Sequence, residues 1–239
     1  MHTSADIVSV EVRLTSTRPV QIIALEADST EFSFAAGQYV QISHPDGENI
    51  PLSVASGPHR LPELILHYRS TPGVVQAELM DELLASSTTL SIEGPFGDVH
   101  LNDRDTRNLL IVAGGTGVSQ ALSITDELHA INSPRNVVLV VCADHKDDFY
   151  FSEVPGRPEK LETVLIADPR RDATNQALGW IREHAPSFQN WRIVLAGPPD
   201  FVYAAGDVFA QTGVSIDRTE SDVYAYAPRA KAKATPARH

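Results

Sequence analysis

The sequence predicts two lobes of different construction, a six-stranded antiparallel β-barrel followed by a doubly wound five-stranded parallel sheet. Apolar residues alternate with a period of two through residues 7–92, as in half-buried strands. From residue 109 onward, continuous apolar runs alternate with helical patterns, which implies parallel strands joined by crossover helices. A length of 239 residues accommodates two such lobes, each with its own core.

The first lobe contains six short segments with strand periodicity, each bounded by Gly, Pro, Asp or Ser. Short, closely spaced strands of this kind favour a barrel or sandwich. Residues 74–85 break the pattern and place Val75, Leu79 and Leu83 on one helical face, so we expect a helix that caps the open end of the barrel. The strand segments are IVSVEVRLTS, VQIIALEA, YVQISHP, PLSVAS, ELILHYRS and TLSIEG.

The second lobe has the pattern of a doubly wound sheet with a strand order of 3-2-1-4-5, in which ligands bind at the carboxyl ends of the strands where the order reverses. We expect domains at residues 1–102 and 103–228. Residues 229–239 contain mostly small and basic residues and bury too little apolar surface to be ordered, so they form a flexible basic tail. The predicted strands are 109–113, 137–142, 162–167, 192–196 and 223–226, and the predicted helices are 118–131, 174–184 and 200–212.

Composition excludes several classes of function. The 19 Lys and Arg against 31 Asp and Glu give a formal charge of −12, which argues against nucleic acid or an anionic membrane as a partner. The only cysteine, Cys142, cannot form an intrachain disulfide or hold an iron-sulfur cluster, so any electron carrier is organic. The nine histidines show no metal-ligand spacing. The absence of a long apolar run or a leader pattern leads us to expect a cytoplasmic protein.

The segment LLIVAGGTGVSQA joins a buried strand to an amphipathic helix through Gly114, Gly115, Thr116 and Gly117. Without a Cβ the backbone can adopt positive φ and let a ligand approach, and the first N–H groups of the helix can meet a pyrophosphate. The turn matches neither G-x-G-x-x-G nor a P-loop. The alternative is a tight turn whose glycines serve packing alone.

A second turn with Gly197, Pro198 and Pro199 follows another buried strand. In the predicted strand order both turns flank one crevice. Asp144, His145 and Lys146 lie after the strand where an adenosine ribose would bind. The aspartate favours NADH, and the two basic residues favour NADPH. The alternative is that this charged segment is a solvated loop that binds no ligand.

Several segments occur in an order that resembles the ferredoxin-NADP reductase superfamily, in particular its bacterial NAD(P)H:flavin oxidoreductase branch. They are FAAGQYVQI, IPLSVAS, GPFGDVHL, LLIVAGGTGVSQA, LAGPP and SDVYAYAP. The resemblance covers about residues 7–228. It implies a flavin-binding barrel, with FAD or FMN, and an NAD(P)-binding domain for NADH or NADPH, the two rings meeting between the lobes.

The resemblance also implies roles for individual residues. Ser53 would lie near flavin N5 and Thr116 near the nicotinamide carboxamide, and both are the candidate catalytic residues. Thr116 has the alternative role of helix N-cap, and a strand tyrosine commonly packs in a core. The candidate flavin-binding residues are Pro51, Leu52, Ser53, Val54, Ser56, His67, Tyr68, Arg69, Ser70, Tyr224 and Tyr226.

Three positions depart from the pattern of the superfamily. Ile50 stands where relatives have an arginine, and Leu52 stands where they have an aromatic residue. Isoleucine cannot neutralise a flavin phosphate, and leucine offers less stacking area than tyrosine. Gln76 also replaces a serine found near the pyrophosphate in relatives with bound FAD. These departures predict a weakly held flavin.

Three functions are consistent with these residues. The first is an enzyme that transfers hydride from NAD(P)H to FMN, FAD or riboflavin as an exchanging substrate. The second is a reductase that keeps FAD bound and passes electrons to an iron-sulfur or haem protein. The third is a regulatory subunit that binds flavin and nucleotide without catalysis. The preferred coenzyme, the flavin, the final acceptor and the oligomeric state stay open.

Overall fold

The computed structural model describes residues 2–102, 104–151, 156–170 and 172–229. Eleven strands in these ranges form two sheets. Of the predicted tail at residues 229–239, only Arg229 lies within the described residues, and its guanidinium pairs with Asp207 at 2.6 Å. Within the same ranges, no helix is both long enough and apolar enough to cross a lipid bilayer.

The first sheet is the predicted antiparallel barrel. Its strands are β1 (His2–Arg13), β2 (Val20–Ala27), β3 (Tyr39–Ser43), β4 (Asn49–Ser53), β5 (Glu63–Tyr68) and β6 (Thr89–Phe96). They run in the order β4-β3-β6-β1-β2-β5, and neighbouring strands are antiparallel. The sheet closes where Val54 bridges Leu66 and the Ala55 N–H donates to the Ile65 carbonyl at 2.7 Å.

A single helix of the barrel lobe, α1 (Val75–Ser86), covers the barrel core. The side chains that it buries there are Ala77, Met80 and Leu83. The predicted apolar face is therefore only partly right, since Leu83 is buried but Val75 is 57% exposed. Val75 is the first residue of the helix, where the chain has not yet reached the core.

The second sheet is parallel and has the predicted strand order. Its strands are β7 (Leu109–Gly114), β8 (Val137–Ala143), β9 (Leu161–Ala167), β10 (Arg192–Ala196) and β11 (Thr219–Glu220), and its main helices are α2 (Val118–Ala130), α3 (Ala173–His184) and α4 (Pro199–Gln211). The strand order is β11-β10-β7-β8-β9. Read from β9 to β11, with β7 counted as the first strand of this lobe, it is 3-2-1-4-5. Helices cover both faces, which explains why β7, β8 and β10 are almost continuously apolar and buried.

The strand predicted at residues 223–226 is wrong, because this segment is the short helix α5 (Val223–Tyr226). The fifth strand is instead Thr219–Glu220, which pairs with β10. Alternation over four residues does not distinguish a strand from one helical turn. Tertiary contacts decide, because Asp222 is fixed by the Asp98 and Val99 N–H groups and Tyr224 turns onto α4.

The two lobes are joined by polar contacts between the barrel and α2. Asp126 accepts hydrogen bonds from Arg60 at 2.5 and 2.9 Å and from the Gly57 N–H at 2.8 Å. Ser123 donates to the Ser56 carbonyl at 2.8 Å. These contacts fix the orientation of one lobe on the other. The division into domains at residues 102 and 103 lies in the connection between β6 and β7 and stays a prediction.

Candidate functional site

A cleft of about 420 Å³ opens between the two lobes. This volume is typical of a small-molecule site, for which the range is roughly 300–1,000 Å³. The barrel contributes residues from β3, β4 and β5, and the second lobe contributes its two glycine turns and the segment around α5. The lining residues are Tyr39, Gln41, Pro51, Leu52, Ser53, His67, Thr116, Gly117, Ser119, Gln120, Ala196, Gly197, Pro198, Ser221, Asp222, Val223 and Tyr226.

Many of the residues predicted from sequence lie in this one cleft. On the barrel side, Ser53 is partly exposed, and its hydroxyl has no hydrogen-bond partner within the described ranges. Thr116, in the first glycine turn, lines the same cleft from the second lobe. The predicted residues that line the cleft are Pro51, Leu52, Ser53, His67, Thr116, Gly117, Gly197, Pro198 and Tyr226.

The first glycine turn combines packing with access for a ligand. A Cβ on Gly117 would lie 2.5 Å from the Gly197 nitrogen, so this glycine lets the two turns touch. Gly115 has a φ of +56° and open space around its Cα, so its role is conformational and it leaves room for a ligand. The N-cap of α2 is Gly117, and no side chain caps the helix. The alternative role of Thr116 as N-cap is therefore wrong.

A second cavity of about 490 Å³ lies on the other side of the same turn. Gly114 and Gly115 form part of its wall, and the predicted ribose residues Asp144 and His145 line it as well. The barrel lobe contributes further residues to the cavity, including Arg69. The cleft and this cavity share Pro198 and together flank the start of α2.

Two of the predicted nucleotide-binding residues do not line either space. Lys146 is exposed and begins the short 3-10 helix Lys146–Asp148. Pro199 is the first residue of α4, a position that proline favours because its missing N–H has no helical partner there. Lys146 and Pro199 therefore stay predictions without support from cavity geometry.

The chain resembles reductases in both sequence and fold. No protein-family model matches it. It is 29% identical over 204 residues to reductase component 1 of terephthalate 1,2-dioxygenase from Comamonas sp, a match that covers 82% of this chain and 60% of that protein. It is 28% identical over 207 residues to an NAD(P)H-flavin reductase from Vibrio harveyi, covering 81% of this chain and 87% of that protein. A ferredoxin-NADP+ reductase from Plasmodium falciparum has the same fold, with a TM-score of 0.77, 15% identity, and coverage of 92% of this chain and 95% of that chain.

The chain is thus similar in sequence to reductase components and a flavin reductase, and it shares the fold of a ferredoxin-NADP+ reductase. It spans 60% of the length of the Comamonas reductase component and most of the Vibrio flavin reductase. Two segments that resemble the ferredoxin-NADP reductase superfamily in sequence, IPLSVAS and LLIVAGGTGVSQA, line the cleft from different lobes. The fold therefore brings together motifs that lie about 60 residues apart in the chain.

The lining of the cleft fits the uncharged ring system of a flavin better than its phosphates. In its described lining there is no lysine or arginine, and Asp222 is the one carboxylate. Ile50, at the position of the superfamily arginine, is 3% exposed and belongs to the barrel core. Leu52 and Pro51 give the barrel wall an apolar surface. The residues present therefore fit an isoalloxazine ring, and they offer no cation to a flavin phosphate.

Three of the predicted flavin residues on the barrel lie outside the cleft and have structural contacts. Val54 is fully buried in the barrel core. The Ser56 hydroxyl accepts the Ile65 N–H at 3.1 Å and so helps to close the barrel. Ser70 donates to Asp81 of α1 at 2.5 Å.

Tyr68 is another predicted flavin residue that the structure places inside the barrel lobe. It is 4% exposed, and its hydroxyl donates to the Ala77 carbonyl at 2.6 Å with Asp81 at 3.1 Å. Burial raises the pKa of its hydroxyl to about 12. Tyr68 thus anchors α1 to β5.

The Tyr68→Phe substitution is expected to lower the free energy of unfolding by about 1–2 kcal/mol, because the Ala77 carbonyl loses its buried donor. The affinity for flavin should not change, since the hydroxyl points away from the cleft. Denaturant unfolding and flavin fluorescence titration of the same variant measure both quantities. A large loss of flavin affinity at unchanged stability would contradict this assignment.

The two C-terminal tyrosines have different environments. Tyr226 is 61% exposed and lines the cleft. Tyr224 packs against Tyr203 of α4, with ring centroids 5.4 Å apart, and its hydroxyl lies above Gly206. Tyr224 therefore has the core role that the sequence left open for one of the pair.

Asp222 and Gln120 line the cleft and were not predicted from sequence. The Gln120 side-chain amide donates to the Asp222 carboxylate at 3.0 Å and to the Gly37 carbonyl at 2.8 Å, so it ties the barrel to the second lobe. Burial raises the pKa of Asp222, although hydrogen bonds from the Val99 N–H and Gln120 oppose this effect. Both residues lie within segments that resemble the superfamily, and this was the only signal in the sequence.

Cys142 lies in β8 and belongs to the core of the second lobe. Burial raises the pKa of its thiol to about 12, so little thiolate forms near neutral pH. Over the described ranges, no group of three or more His, Cys, Asp or Glu side chains is arranged to hold a metal ion. Cys142 therefore packs as a small apolar side chain.

Proposed function

We propose that this chain is an oxidoreductase that transfers hydride from NADH or NADPH to a flavin, which binds between the two lobes as an exchanging substrate. The observation that carries the proposal is the cleft without Lys or Arg in its described lining, which Ser53 lines from the barrel and Thr116 from the second lobe. An adjoining cavity on the other side of the glycine turn contains Arg18 and Arg69. The similarity to a Vibrio NAD(P)H-flavin reductase supports the same function.

The barrel wall binds the flavin ring. Pro51 and Leu52 provide the apolar surface on which the ring lies. The Ser53 hydroxyl is available to the flavin because no protein group within the described ranges binds it. Weak retention follows from the absence of a cation at Ile50 and of a stacking aromatic residue at Leu52.

The second lobe and one edge of the barrel hold the nucleotide. The N–H groups at the start of α2 attract the diphosphate through the helix dipole. Arg18 and Arg69 face this cavity from the barrel lobe, so the bound nucleotide contacts both lobes. Local attraction prevails over the net charge of −12 because distant surface charges are screened by water and salt.

Catalysis requires alignment more than acid or base groups. The nicotinamide gives up a hydride, which is a proton with two electrons, and becomes cationic; the flavin accepts the hydride and is reduced. Thr116 orients the nicotinamide carboxamide, and Ser53 hydrogen-bonds the flavin where it is reduced. These coenzymes are regenerated in the cytoplasm, where we therefore place the protein.

The preferred coenzyme depends on the second cavity. Asp144 would accept from the ribose hydroxyls of NADH and would repel a 2′-phosphate. His145, Arg18 and Arg69 are the groups in the same cavity that would attract this phosphate. Comparing the kcat/KM values of the wild-type protein for NADH and NADPH decides between them.

The test of the proposed function is consumption of NADH and NADPH by the purified protein, measured with and without FMN, FAD or riboflavin. We expect a colourless protein that oxidises the nucleotide only when flavin is added. Absence of oxidation at saturating flavin, with nucleotide binding seen by calorimetry, would instead indicate a non-catalytic binding subunit.

The Ser53→Ala substitution is expected to lower kcat about 5- to 30-fold, because one hydrogen bond at the reacting atoms contributes about 1–2 kcal/mol. The matched control is Ser86→Ala, in which the lost hydroxyl bonds the Glu82 carbonyl on the exposed side of α1. Steady-state rates of both variants measure the effect. An unchanged rate for Ser53→Ala would remove this residue from catalysis.

A second candidate function is a reductase with bound FAD that passes electrons to an acceptor protein. It is favoured by the 29% identity to a dioxygenase reductase component. The cation-free cleft does not favour tight FAD binding. A yellow protein that retains flavin through purification and reduces an iron-sulfur or haem protein would establish it.

A further inference from the structure

A buried polar contact crosses the boundary between the lobes at one wall of the cleft. His67, in β5, is 6% exposed, and its Nδ1 lies 3.2 Å from the Tyr150 hydroxyl of the second lobe. The two rings meet edge to face, with centroids 5.3 Å apart. His67 lines the cleft and also a groove behind it, whereas Tyr150 lines only the groove. Tyr150 therefore supports His67 from the side away from the cleft.

Both partners of this contact are uncharged near neutral pH. Burial lowers the pKa of His67 to about 4, and burial also raises the pKa of Tyr150. A neutral imidazole has one N–H donor and one acceptor nitrogen, and the hydrogen bond at one nitrogen decides which form is present. The Tyr150 hydroxyl thus controls which nitrogen of His67 carries the proton.

The surrounding groups favour a tyrosine that donates to the histidine. Ser119, at the start of α2, is 1% exposed and lies beside the Tyr150 hydroxyl, but its Oγ makes no well-aligned hydrogen bond within the described ranges. If Tyr150 donates to His67, its oxygen remains free to accept from Ser119. Small rotations of the two hydroxyl hydrogens would then give Ser119, Tyr150 and the Nδ1 atom of His67 each a hydrogen-bond partner.

The second ring nitrogen is left for a ligand. In the described part of the chain, Nε2 of His67 has no hydrogen-bond partner. This nitrogen is also accessible, since it is not among the fully buried polar atoms that lack a partner. Since Nδ1 is turned towards Tyr150, Nε2 is the nitrogen that the cleft can reach.

We propose that Tyr150 is a positioning residue that holds His67 as the neutral Nε2–H form, so that His67 donates a hydrogen bond to the flavin in the cleft. The inference rests on the proposed binding of flavin at this site. Flavin reduction increases negative charge on the ring, and a donor that is fixed beforehand stabilises such charge without reorganisation. Because the imidazole is neutral, it can stabilise the reduced ring but provides no positive charge to bind a flavin phosphate.

The first test needs neither flavin nor activity. Long-range ¹H–¹⁵N NMR of the full chain labelled at histidine should show His67 in wild-type protein at pH 7 with a protonated Nε2 and an unprotonated Nδ1. The Tyr150→Phe variant should show a mixture of the two forms. A protonated Nδ1 in the wild-type protein would overturn the proposal even if the variant does not fold.

The second test measures riboflavin binding by fluorescence titration. His67→Leu should weaken binding at least about fivefold, the usual effect of losing one well-placed hydrogen bond, and Tyr150→Phe should weaken it by a smaller factor, because only part of the His67 population then has the donor form. Tyr203→Phe is the matched control, because it removes a hydroxyl that bonds the Ala227 carbonyl at 2.9 Å, and neither of these residues lines the cleft. Equal affinities of Tyr150→Phe and Tyr203→Phe would refute the role of Tyr150.

The two tests separate this inference from the proposed function. Wild-type protein that has the Nε2–H form and binds riboflavin through His67, but never oxidises NADH or NADPH, would refute the proposed reductase activity and leave the His67 donor standing. Normal reductase activity in both Tyr150→Phe and His67→Leu, with unchanged riboflavin affinity, would refute the inference and leave the activity standing.

Discussion

Replacing Gly117 by alanine is expected to destabilise the protein by about 2–4 kcal/mol and to abolish measurable NADH binding. The added Cβ would lie 2.5 Å from the nitrogen of Gly197 and 2.6 Å from the carbonyl carbon of Ala196. Both are backbone atoms at the end of a central buried strand, so neither can move without shifting the sheet. Denaturant unfolding and calorimetric titration with NADH measure the two effects.

Gly179 provides the control for this substitution. It lies inside α3, and nothing approaches within 4 Å of the position of its Cβ. Alanine is favoured over glycine within a helix, so Gly179→Ala should stabilise the protein by about 0.5–1 kcal/mol and leave NADH binding unchanged. If both variants had the same stability, the two glycine turns would not be in the close contact described.

A third glycine separates packing from ligand access. Gly115 has open space around its Cα but a φ of +56°. Alanine at this position has backbone strain of about 1–2 kcal/mol without a clash. The sequence predicted either packing or ligand access for this turn. The close contact at Gly117 supports packing there, and ligand access beside Gly115 stays a prediction.

The fold could be predicted largely because its strands are marked by local patterns. The strand predicted at residues 192–196 matches β10 at both ends, since an apolar run between turn residues has few alternative structures. The prediction at residues 223–226 failed because the structure of this segment is set by long-range contacts and not by a local pattern. The structure of this segment depends on Asp222, Tyr224 and the groups they reach in distant parts of the chain, and no local period records such contacts.

The candidate site could be predicted only in part for the same reason. Ser53 and Thr116 belong to motifs that can be read in sequence, and the structure brings them into one cleft. The contact between Tyr150 and His67 joins residues 83 positions apart, and neither residue lies in a pattern that indicates the other. Arg69 was predicted near the flavin but lines the neighbouring cavity, and it lies one residue beyond the end of β5, where the strand pattern no longer sets the direction of a side chain.

The second large effect is expected from Asp126→Ala, which should lower the free energy of unfolding at pH 7 by about 3 kcal/mol. Asp126 is 2% exposed and binds both Arg60 and the Gly57 N–H across the interface between the lobes. Removing it leaves a partly buried guanidinium and a buried N–H without their acceptor. Guanidinium chloride unfolding measures the loss.

The control pair lies on the surface of the same molecule. Asp207 binds Arg229 through two hydrogen bonds of similar length, 2.8 and 2.6 Å, but both side chains are about half exposed. Asp207→Ala should therefore cost less than about 1 kcal/mol. A cost for Asp126→Ala no greater than that for Asp207→Ala would show that the interface between the lobes does not depend on this carboxylate.

The acid dependence of stability follows from the same contact. Burial on its own raises the pKa of Asp126, but the hydrogen bonds from Arg60 and the Gly57 N–H outweigh burial, and the pKa is lowered overall. Because the folded protein then holds the proton less tightly than the unfolded chain, the contribution of Asp126 is present above about pH 4 and is lost as the pH falls through the lower folded value. The difference in stability between wild type and Asp126→Ala should therefore shrink below about pH 4. A difference that stays constant as the protein is acidified would show that the pKa of Asp126 is the same in the folded and unfolded states, and a difference that grows would show that burial outweighs the hydrogen bonds from Arg60 and the Gly57 N–H.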